Sequence, residues 1–204
     1  MSTTDADQIE QLRRLWDQYG RVLTALGLAA LIGVFGSFFY RGYLERQALG
    51  AANLYQAFQQ PPAGQTADDL AKQLRDEYPR SSYASFVALL QAKQAVEADK
   101  PDQAERHLRW VVEHGGQVAD RSVARLRLAR LLLDQGKPDE ALQTLSRDIS
   151  ADSAALAELK GDIANANDRP DDARSAYNEA LSRLPADSGQ AALVKLKLDA
   201  LGHP

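Results

Sequence analysis

The chain has 204 residues and no cysteine, which excludes disulfides, thiolate metal sites and thiol nucleophiles. Its formal net charge of −4 lies entirely beyond residue 50, without a cluster of Lys and Arg among aromatic residues, which excludes the basic surface that nucleic-acid binding requires. Ala, Leu, Gln and charged residues dominate beyond residue 45 and β-branched runs are scarce, so the composition predicts an all-α fold.

The first predicted element is a membrane-spanning helix over residues 22–40, whose sequence VLTALGLAALIGVFGSFFY contains no charge. As a helix this segment is about 28 Å long, against about 30 Å for the hydrocarbon core of a bilayer. A cleaved signal peptide has a shorter apolar region that ends at a small-x-small site, whereas Arg41 follows this one at once. A buried helix of a soluble domain would need apolar partners on all sides. The sequence therefore predicts a permanent anchor.

The residues on either side of this segment indicate its orientation. Three arginines precede it within residues 1–21, and two follow it within residues 41–50. By the positive-inside rule, this difference places residues 1–21 in the cytoplasm and the larger C-terminal part on the other side of the membrane. We interpret residues 41–50 as a linker or helix extension and residues 51–204 as the soluble domain.

Small residues recur every four positions along the membrane helix, at Ala25, Ala29, Gly33 and Ser37. A stripe of small side chains lets a second helix approach closely within a bilayer. These four positions are therefore the predicted contact with a partner helix. The alternative is that small residues are simply common in membrane helices.

One five-residue phrase, a basic residue followed by Pro, Asp, a variable residue and Ala, occurs three times in residues 51–204. The copies begin at Lys100, Lys137 and Arg169. Proline suits the first turn of a helix, where N–H groups have no partner, and Asp beside it faces the positive end of the helix dipole. Each phrase therefore predicts a helix start, and we interpret Asp171 and Asp172 as structural acids rather than a catalytic pair.

Apolar residues at helical spacing precede and follow each phrase, so the repeating unit is predicted to be a helical hairpin. This unit resembles the tetratricopeptide repeat, which has about 34 residues, small residues where its helices cross and a proline near its end. In the last copy the resemblance is carried by Gly161, Ala173, Tyr177, Ala180 and Pro185. The two earlier copies match in part, through Leu128, Ala129, Gly136, Ala141 and Leu145, and through Ala92, Ala104 and Leu108. The tryptophan and the Leu-Gly pair typical of the family are largely missing.

This resemblance implies that residues 51–204 form a tetratricopeptide-repeat-like, right-handed α-solenoid of helical hairpins, which follows the single transmembrane helix. A degenerate first copy would occupy residues 51–79, and residues 190–201 would form a closing helix, because the terminal units of a solenoid are atypical. The alternative fold is a plain helical bundle.

Residues with the chemistry of an active site are not grouped in this sequence. His107, His114 and His203 come without the spacing of metal ligands, and we expect His107 and His114 at the surface. Gly115 and Gly116 are interpreted as a helix stop rather than a phosphate loop, and no nucleophile motif is present. The sequence therefore predicts a protein that is not an enzyme, with no metal, cofactor or small-molecule substrate.

The predicted binding site is the concave surface of the solenoid, which the first helix of each hairpin lines in tetratricopeptide proteins. When the hairpins are aligned with the tetratricopeptide repeat, two successive hairpins contribute to this surface. The predicted lining residues are Phe86, Leu89, Lys93, Val96, Val123, Leu126, Arg130 and Leu133. For the apolar residues among them, a position in the core is the alternative.

The whole layout resembles the YfgM family, the ancillary subunits of the bacterial SecYEG translocon. The likeness runs from the region of Trp16 to Leu201 and consists of an N-terminus with acids and arginines, one early membrane helix and degenerate repeats. It implies a single-pass protein of the bacterial inner membrane, with a cytoplasmic N-terminus and a periplasmic repeat domain. It also implies that the protein binds the translocon and the membrane-anchored chaperone PpiD, and assists unfolded secreted clients as they emerge. The alternative function is that of a scaffold or regulatory adaptor in another envelope complex, for which a cytosolic domain is also an option.

Overall fold

The computed structural model describes residues 3–145 and 153–202, and in these two stretches the chain forms nine α-helices and no β-strand. The helices are α1 (Thr3–Gln59), α2 (Ala67–Glu77), α3 (Ser82–Glu97), α4 (Pro101–His114), α5 (Val118–Asp134), α6 (Pro138–Leu145), α7 (Ala154–Ala166), α8 (Pro170–Ser182) and α9 (Gly189–Ala200). The prediction of an all-α fold is confirmed. The chain divides into two compact units, Met1–Leu49 and Gly50–Pro204.

In the first unit, α1 carries the apolar segment that was predicted to span the membrane. Its large side chains are exposed, including Val22 at 57 % and Phe38 at 77 %. Among the described helices, α1 is the one long and apolar enough to cross a bilayer. A continuous apolar surface of this kind is rare on soluble monomers, and a lipid environment accounts for it. The residues interpreted as a linker, 41–50, are helical.

In the second unit, successive helices bury a chain of small core clusters rather than one central core. The alanines of the three repeated phrases, Ala104, Ala141 and Ala173, are all completely buried. Four residues after each of these alanines comes another buried side chain, and these are Leu108, Leu145 and Tyr177. Such regular burial is expected when each hairpin covers its apolar face with the neighbouring hairpin.

The turn before each repeated proline has one backbone geometry, which the sequence phrase did not reveal. After α3, Asp99 lies in the left-handed region, with φ of 53°, and the N–H of Lys100 donates to the carbonyl of Ala95 at 2.8 Å. The same two features recur at the other two turns. Gly136 lies in the left-handed region, and the N–H of Lys137 donates to the carbonyl of Leu132 at 2.9 Å. Asp168 also lies in this region, and the N–H of Arg169 donates to the carbonyl of Ala164 at 2.9 Å. This arrangement is the Schellman motif, which satisfies carbonyls at a helix end.

The helix starts follow from local sequence chemistry. The three repeated prolines are the first residues of α4, α6 and α8, which confirms the predicted starts. A hydroxyl group caps α2, α3, α7 and α9 by accepting a hydrogen bond from the backbone N–H three residues later. At α2, Asp69 also accepts a hydrogen bond from the backbone of Thr66 at 3.3 Å, which completes a capping box.

Candidate protein-binding surface

The eight predicted lining residues lie on α3 and α5, where they separate into two groups. Five are exposed: Phe86, Lys93, Val96, Val123 and Arg130. Three are only partly exposed and pack against the core clusters: Leu89, Leu126 and Leu133. A helix in a solenoid offers one face to its neighbours and another to solvent. The five exposed residues are therefore the part of the predicted surface that is open to a partner.

Three aromatic rings form one group near the start of the repeat domain, and we call Tyr55, Tyr83 and Phe86 the aromatic patch. The rings of Tyr55 and Tyr83 stack with their centroids 5.0 Å apart, and Phe86 meets Tyr55 edge-on at 5.8 Å. Tyr83 remains 39 % exposed and Phe86 51 %. Aromatic pairs at such separations attract each other beyond the effect of burial. The patch is thus a preformed apolar surface supplied by α1 and α3.

A cleft of about 550 Å³ lies between α7 and α9. Among its lining residues, Lys197 donates to Glu158 at 2.7 Å and to both carboxylate oxygens of Asp162 at 2.8 Å. The second oxygen of Glu158 accepts from Gln190 at 3.2 Å, and Asp162 accepts from the hydroxyl of Tyr177 at 2.9 Å. These groups satisfy one another, so their role is to fasten α9 to α7 and α8.

The ionisation of this cluster follows from its contacts. Burial raises the pKa of Glu158, but hydrogen bonds from Lys197 and Gln190 outweigh it and leave the pKa below its ordinary value. Burial lowers the pKa of Lys197, but hydrogen bonds to Asp162 and Glu158 outweigh it and leave the pKa above its ordinary value. Burial, followed by the hydrogen bond to Asp162, raises the pKa of Tyr177. At neutral pH the cluster therefore joins a carboxylate, an ammonium and an uncharged phenol.

A second polar network connects α2, α3 and α4. Arg75 donates to the side-chain oxygen of Gln91 at 2.8 Å and lies 3.1 Å from Nδ1 of His107. Gln91 in turn donates to Asp68 at 3.0 Å, and the guanidinium of Arg75 lies 5.9 Å from the ring centroid of Trp110. Because a guanidinium can only donate, Nδ1 of His107 accepts and the imidazole is neutral.

The surface position that we predicted for His107 is wrong, because α4 turns this residue toward α2 and leaves it only partly exposed. Burial, followed by the charges of Arg75 and Arg106, lowers the pKa of His107 below its ordinary value. His114 is exposed, as predicted, and stacks on Trp110 with the ring centroids 5.2 Å apart. His203 lies outside the described residues. Within residues 3–145 and 153–202, no group of three or more His, Asp or Glu side chains is arranged to hold a metal ion.

The stripe of small residues predicted to contact a partner helix lies on α1, where all four residues are exposed. A Cβ atom added to Gly33 would meet nothing within 4 Å. The hydroxyl of Ser37 donates to the carbonyl of Val34 at 2.8 Å, so its polar group is satisfied within the helix. The stripe is open to a second helix, and the contact itself stays a prediction.

Comparison with known proteins extends over both the anchor and the repeats. The tetratricopeptide repeat-like domain family matches residues 13–203. The Ancillary SecYEG translocon subunit of Neisseria gonorrhoeae is 32 % identical over 203 residues, which are 97 % of this chain and 97 % of the relative. The protein of the same name from Haemophilus influenzae is 27 % identical over 202 residues, 96 % of this chain and 97 % of the relative. The chain belongs to the YfgM family.

Membership of the YfgM family, together with the apolar segment of α1, makes this chain a single-pass inner-membrane protein with a tetratricopeptide repeat-like domain. Such a domain is a protein-interaction fold and is not typically enzymatic. No solved structure matches the chain significantly. The recognition of the YfgM family and of its repeat fold from sequence is confirmed.

Sequence reasoning missed two members of the aromatic patch in this YfgM-family chain. Tyr83 stands three residues before Phe86, a spacing that places both on one helix face, so the sequence contained a signal for it. Tyr55 lies on a different helix and was assigned only to the degenerate first repeat. Its contact with Tyr83 depends on how α1 packs against α3, which no local pattern indicates.

Proposed function

We propose that this protein is an ancillary subunit of the SecYEG translocon that binds other proteins through its repeat domain. The observation that carries the proposal is the full-length likeness to the Neisseria gonorrhoeae subunit, at 32 % identity over 97 % of both chains. Because the aligned region includes α1 as well as the repeats, the likeness supports a shared layout and not only a shared fold. The exposed apolar side chains of α1 support a position in the membrane beside the translocon.

We also propose a topology for the four segments. Residues 1–21 lie in the cytoplasm, residues 22–40 cross the membrane, residues 41–50 extend the helix, and residues 51–204 form the periplasmic domain. The excess of one arginine before the apolar segment supports this orientation. Alkaline phosphatase fused after residue 204 should be active, since it folds only outside the cytoplasm. An inactive phosphatase together with a fluorescent cytoplasmic reporter at the same position would overturn the periplasmic assignment.

In the periplasm the repeat domain would link the translocon to the chaperone PpiD and assist the folding of secreted chains. The exposed members of the predicted groove supply a contact surface, and the stripe from Ala25 to Ser37 supplies a contact within the bilayer. Affinity purification of the tagged full chain from gently solubilised membranes should recover translocon subunits and PpiD. A variant that keeps only residues 1–50 would separate partners held by the anchor from partners held by the repeats.

The outcome of this purification decides between the proposed function and its alternative. Recovery of neither translocon subunits nor PpiD would contradict the proposal. Recovery of a different envelope complex in stoichiometric amount would instead support the scaffold or adaptor function.

A further inference from the structure

The aromatic patch lies in the longest uncharged part of the repeat domain. Residues 47–67 and 81–92, which include the last turns of α1 and most of α3, contain no charged residue, although a quarter of the chain is charged. The polar side chains within these two ranges are hydroxyls and amides, and Gln59 donates to the hydroxyl of Tyr55 at 3.0 Å. The two elements that supply the rings thus offer apolar surface and uncharged hydrogen-bonding groups.

The rings of Tyr83 and Phe86 are exposed on α3 although the two residues that follow each of them in sequence are buried. On α3, Val87 and Ala88 are completely buried, whereas Tyr83 and Phe86 remain 39 % and 51 % exposed. Tyr55 packs partly on the core cluster that includes Ala51, and it braces both rings. Preformed, exposed aromatic side chains are the residues that dominate the energetics of protein interfaces.

We infer that the aromatic patch binds an uncharged, apolar segment of an extended partner polypeptide. This inference rests on the proposed function and names the chemistry of the client. Charge decides the occupant, because a charged segment would lose hydration here without an ion pair from residues 47–67 or 81–92, which contain no charge. An apolar side chain gains burial against the rings, and the amides and hydroxyls beside them offer hydrogen bonds to the backbone of the segment.

Fluorescence anisotropy with the full chain in lipid nanodiscs tests this inference. The probe is a short labelled peptide in which Leu and Phe alternate with Ser and Gln. One comparison peptide replaces every Leu and Phe with Asp, and another replaces them with Ser. The apolar peptide should bind at least about tenfold more tightly than either comparison peptide, since it alone gains burial on the rings. Equal binding of the three peptides would overturn the inference.

Two variants locate the binding on the patch. Phe86→Ala and Tyr83→Ala should each weaken binding of the apolar peptide about fivefold or more, because each removes an aromatic contact surface. The control is Leu196→Ala, which removes an apolar side chain that is 67 % exposed on α9 and should change binding less than about twofold. Binding that is insensitive to both patch variants would overturn the inference, and a second copy or the lipid surface would then be the occupant to test.

A crosslinking measurement on the unaltered chain gives an independent result if a variant is poorly folded. A probe peptide with a benzophenone side chain should crosslink within residues 53–60 or 82–92, and crosslinks confined to α7–α9 would overturn the inference. The nanodiscs contain no translocon, so this site and the proposed function can fail separately. Failure of the wild-type chain to recover translocon subunits from membranes would contradict only the proposed function.

Discussion

The ring of Tyr177 lies in the space that a side chain at Gly161 would occupy. A Cβ atom at position 161 would overlap the Cδ1 and Cε1 atoms of this ring, and the hydroxyl of the same ring donates to Asp162 at 2.9 Å. The buried Tyr177 of α8 thus packs against Gly161 of α7 and donates a hydrogen bond to the next residue, Asp162. The close crossing of α7 and α8 requires glycine at position 161.

Gly161→Ala should therefore destabilise the repeat domain. Overpacking a tight contact costs about 1–3 kcal/mol, which exceeds the gain of about 1 kcal/mol from replacing glycine within a helix. Thermal unfolding of the full chain, followed by far-UV circular dichroism, should show a net loss of up to about 2 kcal/mol. The control is Gly189→Ala, where an added Cβ meets nothing within 4 Å. Equal stability of the two variants would show that the ring moves aside freely.

Asp168→Gly should stabilise the protein, because Asp168 occupies the left-handed region with φ of 53°. Glycine adopts this conformation without the steric penalty of a side chain, so the expected gain is about 0.5–1 kcal/mol. The matched change is Gly136→Ala, at the equivalent turn with φ of 72°, which should destabilise by about 1 kcal/mol. Urea unfolding of both variants under one condition measures the two effects. Opposite signs are required, and a loss of stability in Asp168→Gly would refute the argument.

The parts of the fold that could be predicted from the sequence are those with local causes. The repeated prolines predict helix starts because a proline lacks an N–H and has a fixed φ, both of which suit the first position of a helix whatever packs around it. They are Pro101, Pro138 and Pro170. The burial of Leu89 on α3 was left open, because a helix with apolar residues on more than one face does not indicate which face meets a neighbour. That choice is made by the packing of whole hairpins.

The polar networks could not be predicted for a similar reason. Lys197 contacts Glu158 across 39 positions of sequence, and Arg75 meets His107 across 32. Each pair joins helices of different hairpins, so no local sequence motif contains both of its members. Periodicity identified the helices that carry these residues, but only the stacking of the hairpins brings the side chains together.

Lys197→Met should destabilise the C-terminal end of the repeat domain. The change keeps most of the apolar stem but leaves the buried carboxylate of Glu158 and the nearby Asp162 without their shared cation. Removal of one partner of a buried ion pair costs about 3–5 kcal/mol, and the partial exposure of Lys197 reduces this to about 1–3 kcal/mol. Lys195→Met, which alters an exposed residue of the same helix, is the control. Hydrogen exchange should show faster opening of α9 only in Lys197→Met.

Gly33→Leu tests the proposed helix contact in the membrane. A leucine at the centre of the small stripe would hold a partner helix away, whereas insertion of the apolar segment should be unaffected. The amount of translocon recovered with the full chain should fall, while the amount of the variant in the membrane stays unchanged. Ile32→Leu, on a neighbouring and exposed position of α1, is the control. Unchanged recovery with Gly33→Leu would argue against a close contact at this stripe.

The stability of the wild-type chain should fall as the pH drops below about 6.5, the ordinary pKa of histidine, because His107 is held neutral. Burial, followed by Arg75 and Arg106, lowers the pKa of His107, and Asp68 opposes this only in part. As the pH falls, His107 therefore binds a proton at a higher pH in the unfolded chain than in the folded chain. Its stabilising contribution is complete above about pH 6.5 and is lost as the pH falls to the lower pKa that His107 has in the folded chain.

His107→Gln should make the unfolding midpoint less sensitive to pH between about 6.5, the ordinary pKa of histidine, and about 5. The glutamine oxygen can accept from Arg75 in place of Nδ1 but does not titrate. The control is His114→Gln, which changes an exposed residue of the same helix and should retain the wild-type dependence. The lowered pKa of Glu158 adds a separate loss of stability, below the ordinary pKa of a glutamate at about 4.3. Midpoints of the three proteins at pH 7.5, 6 and 5 lie above the range of the Glu158 effect and therefore report the effect of His107. An unchanged slope in His107→Gln would show that the Arg75 contact does not govern the pH dependence.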